Sequence, residues 1–264
     1  MDKTSVVGTV LGLVLVAAGI GFSSLKSFIH LDSMFIVFGG SLSALLVAYK
    51  MERFKAVLNG IKMVYQLPKE YNFMKLISNI LTLSEAARKE GLLALESRIA
   101  GIDEPFLARL MQLVIDSVEP NLINEVIETE IASTSQRHAD IKDALDFLAS
   151  ITPAFGMIGT IIGLVNLLKD LSDPSTIGPN MSIALITTFY GTIVANLFIM
   201  PFAKKLEERA AAEDMYNEII GRGVILIASG TNPRIVQEKL LSYMSQKSRT
   251  IFSELHLSEE LSNA

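Results

Sequence analysis

ITPAFGMIGTIIGLVNLL at residues 151–168 and MSIALITTFYGTIVANLFIMPFA at 181–203 contain no Asp, Glu, Lys, Arg or His. Each run is close to the roughly 20 apolar residues that cross a bilayer as a helix. Each also carries one stripe of small and hydroxyl residues at helical spacing: Pro153, Gly156, Thr160 and Gly163 in the first, and Ala184, Thr188, Gly191 and Ala195 in the second. Gly159 adds a second small residue four before Gly163. Small-xxx-small faces let membrane helices approach closely, and threonine adds neutral oxygens. Neither run supplies a titrating group. If such a pair handles an ion, a charged partner must bring the carboxylate.

Two further runs qualify as spans, residues 6–22 (VVGTVLGLVLVAAGIGF) and 34–49 (MFIVFGGSLSALLVAY), both free of charge. The complete set is 6–22, 34–49, about 145–168 and about 180–203. The opening MDKTS holds one Lys offset by one Asp, and a second span follows at once, so the first run reads as an uncleaved helix. With 264 residues, half of them hydrophobic, and a mean hydropathy of +0.42, a membrane assignment precedes any other. The chain has no cysteine, which excludes disulfides, thiol catalysis and Cys-based zinc sites. His30, His138 and His256 are too dispersed for a metal motif, and a net charge of −5 argues against nucleic acid.

Lys and Arg counts set the orientation. Residues 50–142 hold 12 of them and residues 204–249 hold 8, whereas the connectors 23–33 and 169–179 hold one each, Lys26 and Lys169. The long middle segment, the tail and both termini therefore face the cytoplasm, in two hairpins with short outer turns. The second turn is expected as a tight loop at 172–179 (SDPSTIGP). The expected fold is all-α: spans 1 and 2 in 1–50, a cytoplasmic helical domain in 51–144, spans 3 and 4 in 145–204, and cytoplasmic helices and tail in 205–264. In the middle domain, Leu76, Ile80, Leu83 and Ala87 make one apolar face, and Leu107, Leu110, Met111 and Val114 another. Glu125, Glu128, Arg137 and Asp140 lie on a long polar helix leading into span 3. A further helix is expected after Pro201, at 204–227, then a loop at 230–233, an amphipathic piece at 235–244, and a loosely held tail from Ser245.

No Walker A, G-x-S-x-G or H-E-x-x-H motif is present, nor a run of intramembrane carboxylates. Thr160 lies about 13 residues inside span 3, and Thr188 lies 13 before Pro201. Both hydroxyls are therefore expected roughly 20 Å from the inner edge. There they can line a path or complete an ion's coordination, or simply pack and bond their own helix backbone. Pro153 and Pro201, near the inner ends of their spans, serve as hinges or as boundary markers. The segment AARKEGLLALES at 86–97 places Arg88, Lys89 and Glu90 before Gly91, and Glu96 and Arg98 after it. This is either a partner-steering face or a solvated one.

MDKTS, ARKEGLLALES, TPAFGMIGTIIGLV, IGPNMSIALITTFYGTIVAN and TNPRIVQEKLLSYM together resemble the MotA/PomA/MotP family, the larger membrane subunit of bacterial flagellar stators, over nearly the whole chain. The resemblance implies a pentamer around two copies of a single-span MotB/PomB/MotS-type partner, whose aspartate accepts the ion. It also implies torque on the rotor protein FliG, with no cofactor other than transported Na⁺ or H⁺. By motif, Arg88 and Glu96 match the rotor-facing charged pair. Pro153 and Pro201 match the prolines of conformational coupling. Thr160 and Thr188 match the hydroxyls facing the partner's aspartate, with the small residues as subunit and helix contacts. Threonine at position 160 resembles sodium-driven members, where proton-driven ones typically carry alanine. ExbB/TolQ-type energisers are the related alternative, usually with three spans. A membrane enzyme or receptor would need a polar cluster at membrane depth, and a lone four-helix channel would conduct without a partner.

Overall fold

A computed structural model of the protein describes residues 2–169, 171–252 and 254. His256 lies outside the described residues. The helices are α1 Lys3–Ile20, α2 Leu31–Ala48, α3 Met51–Tyr65, α4 Phe73–Glu90, α5 Pro105–Ile115, α6 Pro120–Lys169, α7 Pro174–Ala228 and α8 Pro233–Leu241. No strand occurs among the described residues. Four of these helices, α1, α2, α6 and α7, are long and apolar enough to cross a membrane.

Local chemistry sets the helix ends. The Asp2 carboxylate accepts from the Thr4 and Ser5 backbone N–H groups and caps α1, and Gly21 ends it at φ +85°. Asp173 caps α7 by accepting from Ser175 N–H, with Pro174 in the first helical position, where the missing N–H costs nothing. That cap shortens the outer turn expected at 172–179. The helix has already begun at Pro174, and Pro179 lies within it. Asn72 caps α4 and Asn232 caps α8 in the same manner.

The long polar helix expected to lead into span 3 is present, and span 4 also runs on into the helix that follows it. Span 3 is the end of a single 50-residue helix that starts at Pro120, with Pro153 inside it. The helix expected after Pro201 is continuous with span 4. Over Val194–Ile199, just before Pro201, the backbone widens into a π turn, in which the Met200 N–H bonds the Ala195 carbonyl five residues back. A proline removes one donor, and this local change of hydrogen-bond register lets the helix run on.

The chain forms two compact units. The first contains residues 1–69 and 136–210. Leu45, Val57, Leu145, Leu148, Ile199 and Ala203 form its buried centre. Helix α3 belongs to this unit with the spans: Val57 and Val64 are buried, and a Cβ on Gly60 would stand 3.0 Å from Ile141. The second unit contains residues 70–135 and 211–264. Leu76, Ile80, Leu83, Leu107, Leu110, Met111 and Val114 are all buried there, as the two apolar faces require, and Ala87 packs against them half-buried. Residues 246–252 are helical, and Phe252 is buried in this core. The loose tail expected from Ser245 is therefore corrected as far as Phe252, because an apolar ring there has a core to enter.

Candidate ion-path site

Helices α6 and α7 meet through backbone, because glycine leaves no side chain between them. A Cβ built on Gly191 would lie 2.9 Å from the Thr152 carbonyl and 3.1 Å from the Pro153 Cα. On Gly156 it would lie 3.0 Å from the Thr187 carbonyl, and on Gly163 2.7 Å from the Ala184 nitrogen. Gly159 receives the Thr187 side chain. All six small residues, Gly156, Gly159, Gly163, Ala184, Gly191 and Ala195, are buried in this unit.

That close approach brings the two threonines together. Thr160 Oγ1 and Thr188 Oγ1 are 2.5 Å apart. Thr160 Oγ1 also lies 2.9 Å from the Ala184 carbonyl across the interface and 3.2 Å from its own Gly156 carbonyl. Thr188 Oγ1 lies 3.4 Å from the same Gly156 carbonyl. Each hydroxyl has one proton and two lone pairs. The Thr160 and Thr188 protons serve this cluster together with the Thr187 hydroxyl, which also reaches the Ala184 carbonyl at 3.0 Å, and unfilled lone pairs remain on the Thr160 and Thr188 oxygens. The arrangement can accept a proton-bearing group or coordinate a hard cation through neutral oxygens, but holds no charge of its own. Thr160 is half-buried and Thr188 exposed, so the cluster opens onto the surface of the chain.

That surface continues past the residues singled out from the sequence. Thr192 and Asn196 are exposed at four and eight residues beyond Thr188, and Asn196 Nδ2 donates to the Thr192 carbonyl at 2.8 Å. The i, i+4, i+8 spacing was the available signal. Thr192 and Asn196 thus extend the polar face of Thr188 along α7 toward Pro201.

Pro153 is half-buried against Gly191, and Pro201 is exposed. Neither breaks its helix. Arg88 lies in the last turn of α4, and Glu96 opens the short helix Glu96–Ile99. Between them Gly91 adopts φ +86°, a left-handed backbone that only glycine takes easily. Both charged residues are exposed. Their neighbours pair off, Glu90 with Arg98 at 2.8 Å and Glu85 with Lys89 at 3.6 Å, while Arg88 and Glu96 make no ion pair among the described residues.

Asp2 gives no sequence signal beyond a weak charge in the opening segment. It is 8% exposed and pairs with Lys205 and with Arg209, the latter at 3.0 Å. Arg209 also donates to the carbonyls of Met63, Val64 and Gln66, satisfying the open end of α3. The hydrogen bonds from Lys205 and the Thr4 hydroxyl hold the Asp2 carboxyl well below the usual carboxylate range.

Known proteins carry the same architecture. Residues 98–219 match the family described as the MotA/TolQ/ExbB proton channel family. Motility protein A of Borreliella burgdorferi is 37% identical over 252 residues, 95% of this chain and 96% of that protein. Chemotaxis protein PomA of Vibrio alginolyticus is 32% identical over 255 residues, covering 95% and 98%. The flagellar MotAB stator complex from Bacillus subtilis contains a chain that superposes with a TM-score of 0.86 at 26% identity, covering 95% of this chain and 99% of that one. The chain belongs to the MotA/TolQ/ExbB proton channel family, among the motility A proteins that form the ion-channel subunit of flagellar stators. It is accordingly a multi-pass membrane protein of a motor family rather than of a known enzyme class.

Proposed function

We propose that the chain lines the ion path of the stator and transmits torque, while a single-span partner of the MotB/PomB/MotS type supplies the carboxylate that carries the ion. The oxygen pair Thr160–Thr188 carries this reading. It is a polar cluster, open on one side and free of titrating groups, between helices that cannot separate without losing backbone contact. Only a group from outside the chain completes it. The similar solved chains come from MotAB complexes, which supports a partner of this kind.

In this reading five copies surround two of the partner. The membrane is the bacterial inner membrane with both termini cytoplasmic, as the Lys and Arg distribution favours. Segments 1–50 and 145–204 hold the membrane and the ion path, and 51–144 and 205–264 act in the cytoplasm. Arg88 and Glu96 meet the rotor protein FliG, and Pro153 and Pro201 couple ion passage to movement. The chain is not an enzyme and holds no cofactor. The ion is cargo, with Na⁺ favoured over H⁺ because hydroxyl and carbonyl oxygens suit a desolvated hard cation.

The test is swimming speed against external Na⁺ at fixed pH, in a host without its own stators expressing the chain with its partner. Speed that rises with Na⁺ and saturates is the expected result. Full motility without Na⁺ overturns the ion assignment. An assembled pair that gives no motility under any ion overturns the stator reading.

A further inference from the structure

Beside the Asp2 latch lies a half-open cavity of about 350 Å³. Ser5, Gly8, Thr9, Leu197, Phe202 and Lys205 line it, with polar groups at one rim and apolar walls on the other sides. Its shape follows from two glycines one turn apart. A Cβ on Gly12 would stand 2.6 Å from Leu197, so α1 and α7 touch there, whereas nothing lies within 4 Å of one on Gly8. The helices part between these positions, and the ion pair of Lys205 with Asp2 rejoins them at the charged end.

The rim is built for an anion or a strong acceptor. Lys205 Nζ donates to Ser5 Oγ at 2.5 Å and to Thr4 Oγ1 at 3.2 Å. The Ser5 hydroxyl, polarised by that ammonium, finds no acceptor for its own proton among the described residues. Around it two cations, Lys205 and Arg209, share the single carboxylate of Asp2, which leaves an excess positive charge. The apolar walls belong to the charge-free stretches of membrane-spanning helices, so the cavity straddles the boundary between hydrocarbon and charge.

We propose that this cavity binds one anionic phospholipid. Its phosphate sits at the Ser5–Lys205 rim, and the first acyl carbons lie against Gly8, Leu197 and Phe202. Basic pockets between spans take lipid headgroups for the same reasons of charge and amphiphilicity. The chemistry selects phosphate joined to an apolar chain, because a free anion would leave the apolar walls unfilled.

The experiment is native mass spectrometry of the full chain, purified with its partner, after addition of phosphatidylglycerol. Phosphatidylcholine and inorganic phosphate serve as separate arms. Gly8→Leu fills open space and leaves the neighbouring atoms where they are. Gly19→Leu adds the same bulk at the other end of α1, where a Cβ is equally unobstructed. The expected result is a retained phosphatidylglycerol adduct that Gly8→Leu weakens about tenfold, the worth of roughly two buried methylenes, and that Gly19→Leu leaves intact. Ser5→Ala, which removes one hydroxyl from the phosphate rim and leaves the Lys205–Asp2 pair in place, is expected to weaken phosphatidylglycerol and phosphatidylcholine alike, with the preference between them kept by the cationic excess. Equal adducts in wild type and Gly8→Leu, or equal losses in both leucine variants, would overturn the assignment. So would displacement of the lipid by inorganic phosphate, which identifies a free-anion site instead.

Discussion

Thr160 and Thr188 stand hydroxyl to hydroxyl at 2.5 Å, on helices whose axes are held together at Gly156 and Gly191. The two side chains are 28 residues apart in sequence, yet they share a carbonyl, that of Gly156. Alanine at position 160 takes away one oxygen together with the γ-methyl, whereas serine takes away the methyl alone. Thr160→Ala is therefore expected to raise the Na⁺ concentration for half-maximal speed by about tenfold, or ~1.4 kcal/mol of coordination. Thr160→Ser, which keeps the oxygen, is expected to stay near wild type. Speed curves that coincide for all three chains would assign Thr160 to packing alone.

The glycine contacts predict opposite outcomes for one substitution at two sites of α7. At Gly191 an added methyl meets the Thr152 carbonyl and the Pro153 Cα, both backbone, and neither can rotate away. Gly191→Ala is expected to cost about 1–3 kcal/mol, the range for overpacking a close contact. At Gly178 nothing lies within 4 Å. Gly178→Ala is expected to be neutral or to stabilise by up to about 1 kcal/mol through helix propensity. Equilibrium unfolding of the two variants in mixed micelles checks the contrast. Equal stabilities would mean the helices part readily at Gly191.

Arg88 and Glu96 are both exposed and have no ion-pair partner among the described residues, so reversing either charge should leave folding almost untouched, within about 0.5 kcal/mol. Torque is expected to fall steeply in Arg88→Glu and Glu96→Lys, with membrane levels unchanged. Partial recovery by an opposite reversal on the rotor protein is expected. A loss of membrane insertion in either variant would show that these charges support folding instead.

The spans and the threonine register were legible because each depends on residues close in sequence. A charge-free run declares itself, and a stripe at helical spacing fixes which side chains share a face. Depth matching of Thr160 and Thr188 needed only the rise per residue. The ends were less legible. Pro153 and Pro201 read as hinges or as boundary markers, and the helices run through both, since a proline costs one donor and the π turn at Val194–Ile199 gives the helix another bonding register. The loop at 172–179 read as a turn from its Pro, Gly and Asp, but Asp173 and Pro174 are equally good helix starters. The Asp2 latch was invisible, since its partner Arg209 lies 207 residues away and nothing local signals the pair.

That latch has a definite pH signature. The Asp2 carboxyl is held below its ordinary range, first by the Lys205 hydrogen bond and then by the Thr4 hydroxyl. A carboxyl depressed in the folded state contributes stability above its unfolded pKa, near ~4, and loses it only as pH falls through the lower folded value. Asp2→Asn preserves a good helix cap while removing the charge, so it isolates the ion pairs with Lys205 and Arg209. Wild type is expected to melt higher than Asp2→Asn by a constant margin from pH 8 down to about pH 4, with the margin closing below that. Thermal melts of both chains across this range decide it. A margin that closed between pH 8 and pH 5 would place the titrating group elsewhere. A margin absent at every pH would reduce Asp2 to a helix cap, with Lys205 and Arg209 held by the Ser5 and Thr4 hydroxyls and the α3 carbonyls alone.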